Sequence, residues 1–258
     1  MKININPKRS SGRNPLKKWF KKNTTMNNSN KTKIYNLILL DKSGSMDSIR
    51  KAAFIGCNEV LNGIKSTAQT YADSQEHYVS LMLFDTSSMP YILDMVPAKD
   101  VKLMDESQFV PCACTPLLDA IGTSVTRLEN KIKKDERAIA SVTVITDGYE
   151  NASQEFTASQ IHKLIGRLKE QEGWNFAFMG ANQDVTKVSV ELNIDIQNAR
   201  AFDFSEEGTK ETFEAYREAN MYFCQRMENI DTHMSCASPK ERKQAYRREA
   251  QQSRFFKR

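Results

Sequence analysis

The sequence predicts an α/β protein with a doubly wound, mostly parallel central sheet that helices cover on both faces, in a three-layer αβα arrangement. Two observations lead to this class. Short apolar segments alternate along the chain with longer segments of helical periodicity, and this alternation favours parallel strands connected by helices. Several of the apolar segments are apolar throughout, which is typical of strands that are buried on both faces.

The first half of the sheet begins with "IYNLILL" (34–40), a short apolar run that predicts a buried strand. Apolar residues then recur at spacings of three and four over 49–71, which predicts one long amphipathic helix. The runs "YVSLMLF" (78–84) and "YILDMVPA" (91–98) predict two more strands, and the turn-forming "DTSSMP" joins them.

The middle of the chain predicts a helix, a strand and a second helix. The segment 115–132 has a proline near its first turn, a position that helices tolerate. "ASVTVIT" (140–146) is a β-branched apolar run and predicts a strand. The segment 157–172 has helical periodicity and is followed by Gly173, which predicts the helix end.

The last third repeats the alternation. "WNFAFMGA" (174–181) predicts a strand, 184–193 a helix, 199–204 a short strand, and about 209–228 a final helix.

The charge is distributed unevenly along the chain. Residues 1–33 hold ten Lys/Arg and no Asp/Glu, and residues 238–258 hold eight Lys/Arg against two Glu, whereas the segment between them has a net charge of −11. We therefore expect a basic, disordered extension at 1–33, a folded domain at 34–228 and a basic tail at 229–258 that can form a helix. Both tails are expected to be mobile.

Cysteine usage and hydropathy predict a soluble, cytoplasmic protein, and we expect it to be a monomer. The five cysteines form neither an even framework nor a C-x-x-C pair, which favours reduced thiols. The sequence has no signal-peptide pattern and no apolar run of about 18 residues that could span a bilayer.

Oxygen-bearing side chains follow two of the predicted strands and precede a predicted helix. Asp41, Ser43 and Ser45 come directly after the first strand, Thr115 opens a helix, and Asp147 follows a later strand. Ligands of parallel sheets bind at the carboxyl ends of the strands, so these side chains are expected at one edge. Two carboxylates and three hydroxyls are hard donors that suit Mg²⁺, Mn²⁺ or Ca²⁺ rather than zinc.

Each piece of this pattern also has a purely structural interpretation. D-x-S-x-S can be a turn that caps the next helix, Thr115 before Pro116 can be a helix cap, and Asp147 before Gly148 can be a turn. The joint occurrence of the three pieces, at one edge of one predicted sheet, favours a metal site.

At these five residues the sequence resembles the von Willebrand factor A (vWA) domain family, whose metal-ion-dependent adhesion site consists of D-x-S-x-S, a Thr and an Asp. The resemblance covers roughly 34–228. It implies a Rossmann-like fold in which the hydroxyls bind the cation directly, the aspartates often act through water, and a partner's Asp or Glu carboxylate completes the shell. It further implies a protein-binding adaptor of the kind found among bacterial members.

The resemblance also implies which cation binds and which residues form the rim of the site, and the chain differs from the family pattern in one loop. Mg²⁺ is favoured, with Mn²⁺ or Ca²⁺ as alternatives, because few direct carboxylates leave room for the waters that Mg²⁺ keeps. Glu150 and Asn151 are expected to shape the partner-binding rim. Many bacterial members carry Gly-Gly before the Thr, where this chain has Cys112, Ala113 and Cys114. Side chains restrict that loop, and both thiols are expected to be small buried groups.

An enzyme is the first alternative from another class, and the sequence disfavours it. Phosphotransfer folds of the haloacid dehalogenase type also place an Asp after their first strand, but they need a second acid two residues on, where this chain has Ser43. Neither a phosphate-binding G-x-x-x-x-G-K-[ST] loop nor a G-x-S-x-G elbow is present. His77, His162 and His233 are expected to be surface residues.

The second alternative is a protein that associates with nucleic acid or an acidic membrane surface through its basic tails. The candidate contacts are basic side chains at both ends of the chain: Lys17, Lys18, Lys21, Lys22, Arg247 and Arg248. Such side chains can neutralise phosphates, although charge runs are commonly just solvated.

Overall fold

The structure is a computed structural model, and it describes residues 31–181, 184–202, 206–252 and 255–256. The predicted extension at 1–33 therefore lies outside the described residues except for its last three. Of these, Thr32 and Lys33 already belong to the first strand.

The described residues form one sheet of six strands in the order β3-β2-β1-β4-β5-β6. β3 runs antiparallel to β2, and all other neighbours are parallel. The strands are β1 (Thr32–Asp41), β2 (Gln75–Phe84), β3 (Tyr91–Pro97), β4 (Ala138–Thr146), β5 (Asn175–Gly180) and β6 (Ala199–Ala201). The predicted fold class, a mostly parallel sheet within an α/β domain, is confirmed.

Helices cover both faces of this sheet. They are α1 (Arg50–Thr70), α2 (Leu117–Ile132), α3 (Ala158–Glu172), α4 (Val185–Glu191), α5 (Glu206–His233) and α6 (Pro239–Gln252). Val60 of α1 and Phe223 of α5 belong to the core on one face. Val125 of α2, Ile165 of α3 and Val188 of α4 belong to the core on the other face.

The central strands explain why the sequence lacks polar alternation there. Leu37 and Leu39 of β1 pack into one core, whereas Ile38 and Leu40 pack into the other. Side chains of a strand point alternately to its two faces, so a strand buried on both faces is apolar at most positions. The first polar residue after this run, Asp41, is therefore the point at which β1 reaches the edge of the sheet.

Local signals set several helix ends. α3 begins with a capping box between Thr157 and Gln160 and ends at Gly173, whose φ of +70° is the left-handed conformation that glycine adopts easily. The long helix predicted at 49–71 is α1 (Arg50–Thr70), and a 3₁₀ helix at Gly44–Ile49 precedes it. This short helix turns the chain directly behind Ser43.

β2 begins three residues earlier than the apolar run predicts, because two polar side chains are buried there. Gln75 donates from Nε2 to the carbonyl of Cys224 at 2.7 Å, and its Oε1 lies 3.0 Å from Nε2 of His77. The prediction that His77 is a surface residue is wrong, since it is buried, and burial lowers its pKa to about 4. His162 and His233 are exposed, as predicted.

The C-terminal segment packs against the domain. Tyr246 of α6 is buried, and its hydroxyl lies 2.8 Å from Oγ1 of Thr32 at the start of β1. Phe255 and Phe256 are buried in the core beneath α1 and α5, and the amide of Phe255 donates to Oδ1 of Asn198 at 2.7 Å. The predicted mobility of this tail is wrong for these residues, because three aromatic side chains find long-range apolar partners.

Candidate metal centre

The candidate site lies where the strand order reverses. The chain leaves β1 towards β2 on one side, and β4 is the neighbour of β1 on the other side. In open α/β sheets the loops on the two sides of such a point diverge and leave a crevice at the carboxyl ends of the strands. Asp41 is the last residue of β1, and Asp147 directly follows β4, so both carboxylates come from this crevice.

Asp41 is held firmly in place. Its side chain is fully buried, Oδ1 accepts a hydrogen bond from the amide of Ser43 at 2.7 Å, and Oδ2 accepts one from Oγ1 of Thr146 at 2.6 Å. The bond to Ser43 closes the tight turn that starts the D-x-S-x-S segment. Thr146 was not singled out from the sequence because it reads as the last residue of a β-branched strand.

Hydrogen-bonding contacts link the two serines to Asp147. The Oγ atoms of Ser43 and Ser45 lie 3.2 Å apart, and Oγ of Ser45 donates to Oδ1 of Asp147 at 2.7 Å. Ser43 is buried, whereas Ser45 is exposed. The Ser45 end of the cluster is therefore open to solvent.

Gly148 shows how closely the remaining oxygens converge. A Cβ atom on this glycine would lie 3.0 Å from Oγ1 of Thr115, 3.4 Å from Oγ of Ser45 and 3.8 Å from Oδ2 of Asp41. Three oxygens from two separate chain segments thus surround one point that only glycine leaves free. Together with the Ser43–Ser45–Asp147 contacts, this brings all five predicted ligands into one cluster.

Thr115 is fixed by the loop that follows β4. Its amide donates to Oδ1 of Asn151 at 2.9 Å, and the amide of Asn151 donates to the carbonyl of Thr115 at 3.2 Å. The paired bonds tie the Thr115 backbone to the segment that carries Asp147. Asn151 is itself exposed beside the cluster.

Both Glu150 oxygens are engaged within the protein. Oε1 accepts from the amides of Ala152 and Ser153 at 2.8 and 2.7 Å. Oε2 accepts from the amide of Leu118 at 2.9 Å and from Oγ of Ser153 at 2.7 Å. Glu150 was predicted only to shape the partner-binding rim, whereas these contacts show that its carboxylate also binds backbone amides of the protein itself.

The loop before Thr115 carries backbone strain and exposed thiols. Ala113 has a φ of +60°, a left-handed conformation that costs a residue with a Cβ about 1–2 kcal/mol. Its carbonyl accepts from the amide of Gly44 at 3.0 Å, which fastens this loop to the D-x-S-x-S turn. The prediction that Cys112 and Cys114 are small buried groups is wrong, because both are exposed.

No known family model matches the sequence, and no curated protein matches it. Solved structures do share its fold. The VWA domain of SpRpn10 superposes with a TM-score of 0.51 and 11% identity over 70% of this chain and 93% of that one. Proximal thread matrix protein 1 from the mussel byssus has a TM-score of 0.51 and 12% identity over 74% of this chain. The pilus adhesin SpaC from Lactobacillus rhamnosus GG has a TM-score of 0.52 and 10% identity over 74% of this chain. The chain has a vWA-like fold. It spans 47% of the byssus protein and 31% of the adhesin.

The chemistry of the cluster in this vWA-like fold fits a hard divalent cation. Its donors are two carboxylates and three hydroxyls, all oxygen. Within the described part of the chain there is no group of three or more His, Cys, Asp or Glu side chains that could hold a metal, so a site rich in carboxylates or soft ligands is not available there. The hydroxyl-rich cluster around Gly148 provides oxygen ligands with little negative charge.

Burial affects both carboxylates of the cluster. It raises the pKa of Asp41 from 3.8 to about 6, against the opposing effect of the hydrogen bonds from Thr146 and Ser43. Burial also raises the pKa of Asp147, although the bond from Ser45 opposes it. A nearby cation would lower both pKa values, because it favours the ionised carboxylate.

Lys42, the nearest cationic side chain in the sequence, does not compensate these acids. It is buried and forms an ion pair with Asp85, which directly follows β2 at the same edge of the vWA-like sheet. Burial raises the pKa of Asp85, but the Lys42 ion pair and bonds from Ser87 and Cys112 outweigh it and lower the value to about 2. The sequence predicts only a turn at "DTSSMP", although Asp85 of this segment directly follows a strand, as Asp41 does at the end of β1.

The basic candidates lie apart from the cluster or outside the described residues. Lys17, Lys18, Lys21 and Lys22 fall in the part of the chain that the structure does not describe. Arg247 and Arg248 belong to α6, next to Tyr246, which contacts the start of β1. Ten residues of β1 separate that point from Asp41, about 30 Å at the usual rise of a strand. None of the helices in the described ranges has the length and apolar content that crossing a bilayer requires.

Proposed function

We propose that this chain is a metal-dependent protein-binding module without catalytic activity of its own. Asp41, Ser43, Ser45, Thr115 and Asp147 would hold one divalent cation, with Mg²⁺ favoured and Mn²⁺ or Ca²⁺ as alternatives. A partner protein would then bind through an Asp or Glu side chain. We further propose that the module acts as a cytoplasmic monomeric adaptor.

The observation that carries this proposal is the convergence of oxygens around Gly148. A single point within 3.8 Å of Thr115 Oγ1, Ser45 Oγ and Asp41 Oδ2 is unusual for hydroxyls that serve only as helix caps. A cap oxygen accepts a hydrogen bond from a backbone amide of its own helix. Ser43, the residue ahead of the 3₁₀ helix, makes no such side-chain bond, so its hydroxyl is free of the capping role. The residue directly ahead of α2 is Pro116, whose side chain has no acceptor, and Thr115 lies one position further from the helix.

The protein's own groups explain why a partner's acid would be attracted. A divalent cation held mainly by neutral hydroxyls keeps much of its charge uncompensated and accepts an additional carboxylate. Asp41 is buried and hydrogen-bonded to Ser43 and Thr146, which restrains it from rotating. Ser45, by contrast, is exposed and lies on the side open to a partner.

A direct test uses acetate, which carries the same functional group as an Asp side chain. We expect that protein loaded with paramagnetic Mn²⁺ broadens the carboxyl resonance of ¹³C-labelled acetate well beyond the effect of the unbound ion. Losing a hydroxyl in Ser43→Ala or Thr115→Ala should weaken binding of a protein partner by about one to two orders of magnitude. The fold should survive, because both residues lie at the edge of the sheet.

The matched control is Asp73→Ala, which removes an exposed acid between α1 and β2. This position precedes β2, whereas the cluster lies beyond the opposite ends of the strands. Asp73→Ala should broaden acetate as the wild type does, and Asp41→Ala should not. Equal broadening by Asp41→Ala and wild type would exclude the proposed mechanism.

A further inference from the structure

Asp119 is a buried carboxylate that takes no part in the candidate metal cluster. It lies in the first turn of α2 and is 8% exposed. Its Oδ2 accepts from the amide of Gln154 at 2.7 Å, and its Oδ1 accepts from the amides of Glu155 and Phe156 at 2.9 and 2.8 Å. Three amides of one loop therefore converge on a single side chain of a different element.

Glu150 makes the reverse connection. It belongs to the loop after β4, and its Oε2 accepts from the amide of Leu118. This amide lies in the first turn of α2, where backbone amides have no carbonyl partner within the helix. Ser153 connects the Glu150 carboxylate to the backbone of Asp119, because its Oγ donates to Oε2 of Glu150 at 2.7 Å and accepts from the amide of Asp119 at 3.0 Å. The start of α2 and the loop after β4 are thus clamped in both directions.

The two clamped elements are those that carry Thr115 and Asp147. Thr115 stands two residues before α2, and Asp147 starts the loop that ends at Phe156. A packing contact reinforces the same connection, since a Cβ atom on Gly122 of α2 would lie only 2.4 Å from the ring of Phe156. The ring rests directly on the helix backbone, and glycine is the residue that permits it.

We propose that Asp119 and Glu150 are positioning residues that fix Thr115 relative to Asp147 so that both can bind the same cation. This inference rests on the proposed function. The clamp acts without touching the cation, because its carboxylates accept hydrogen bonds from backbone amides and from the hydroxyl of Ser153. Ligands held by a second layer of hydrogen bonds keep their geometry when the metal is absent, and loss of such a layer typically lowers metal affinity about 10- to 100-fold.

The test replaces each acid by its amide, in Asp119→Asn and Glu150→Gln. In Asp119→Asn the single oxygen that receives the amides of Glu155 and Phe156 can be kept, but an NH₂ group then faces the amide of Gln154. Asp105→Asn is the control, since Asp105 also accepts a backbone amide, from Ser107 at 2.9 Å, but in an exposed turn outside the clamp. Two quantities are measured: Mn²⁺ affinity, and amide hydrogen exchange in chelator.

We expect both clamp variants to lose Mn²⁺ affinity by about tenfold or more and to exchange the amides of Thr115 and of 154–156 faster, while Asp105→Asn changes neither. Faster exchange with unchanged affinity would overturn the positioning role and leave a structural one. Unchanged exchange would overturn the clamp itself. If the wild type binds no Mn²⁺, the proposed function fails, whereas the exchange data still report on the clamp. Should either variant fail to fold, Ser153→Ala, which removes the neutral bridge, replaces it with the same expected changes.

Discussion

Replacing Asp41 by asparagine removes a buried charge while nearly preserving the shape of the side chain. Asp41 is fully buried, and its oxygens accept bonds from Ser43 and Thr146. Oδ1 of an asparagine can keep the bond from the amide of Ser43. The hydroxyl of Thr146 can rotate towards the carbonyl of Gly148, 3.2 Å away, and accept from the new NH₂ group. We therefore expect Asp41→Asn to be more stable than the wild type without metal and at neutral pH.

The size of this effect follows from the pKa of Asp41. Burial raises it from 3.8 to about 6 in the folded protein, so the folded state binds the proton more tightly than the unfolded state. The resulting stability is fully present below about pH 4 and is lost as the pH rises through about 6. The difference between a pKa of 3.8 and one of about 6 corresponds to at most about 3 kcal/mol of unfolding free energy. Imperfect hydrogen bonds of the asparagine offset about 1 kcal/mol, which leaves about 1–2 kcal/mol in favour of the variant.

Addition of Mg²⁺ should reverse this order. A ligand that binds only the folded state, at 100 times its dissociation constant, adds about 2.7 kcal/mol to the unfolding free energy of the wild type. Asp41→Asn should gain nothing, because it has lost one of the two carboxylates that attract a cation to the site. The variant is thus expected to be the more stable protein in chelator and the less stable one in Mg²⁺.

The assay is urea unfolding at pH 7.5 and pH 4, with chelator or with Mg²⁺, for the wild type, Asp41→Asn and the exposed control Asp73→Asn. At pH 4 in chelator the advantage of Asp41→Asn should shrink, because the wild-type carboxyl is then protonated in the folded state. The reasoning is refuted if Asp41→Asn is no more stable than the wild type at pH 7.5 in chelator, or if Mg²⁺ stabilises both equally.

Three further predictions follow from the packing and charge of the chain. Gly148→Ala places a Cβ 3.0 Å from Oγ1 of Thr115 and should lower metal affinity by about tenfold or more, measured by calorimetric titration. The control Gly63→Ala places its Cβ 3.6 Å from the nearest atom and should leave the metal affinity unchanged. Phe255→Ala should lower the unfolding free energy in urea by about 3–5 kcal/mol, because the ring is buried; an unchanged value would mean that the C-terminal segment does not pack in solution. Deleting residues 1–30, which lie before β1, should weaken the salt dependence of binding to nucleic acid or to acidic lipid vesicles. An unaltered salt dependence would argue against the basic N-terminal segment as the contact.

The strands that carry the site were predictable because each is buried on both faces. A short, β-branched run such as Val142–Thr146 within β4, all of it buried, is typical of a strand in a parallel sheet that helices cover on both faces. The position of Asp41 and Asp147 at the carboxyl ends of strands was predictable for the same reason, since a polar residue directly after such a run marks the edge of the sheet. The structure then brings both together with Ser43, Ser45 and Thr115.

What the sequence did not reveal depends on contacts between distant segments. Asp119 lies within an amphipathic helix and gives no local sign that the amides of Gln154 to Phe156 meet it. The buried ion pair of Lys42 and Asp85 joins two loops 43 residues apart, and charge patterns alone do not identify such pairs. Phe255 was read as part of a basic tail, because the core that receives it is assembled from several other elements.

The proposed function depends on one divalent cation that binds among the five oxygen side chains around Gly148. Titration with Mn²⁺, followed by the loss of its free electron-spin resonance signal, counts bound ions directly. The wild type and Asp73→Ala should each remove one Mn²⁺ per chain, excess Mg²⁺ should release it, and Asp41→Ala should remove none. A wild type that leaves all Mn²⁺ free, or an Asp41→Ala variant that binds as the wild type does, would contradict the claim.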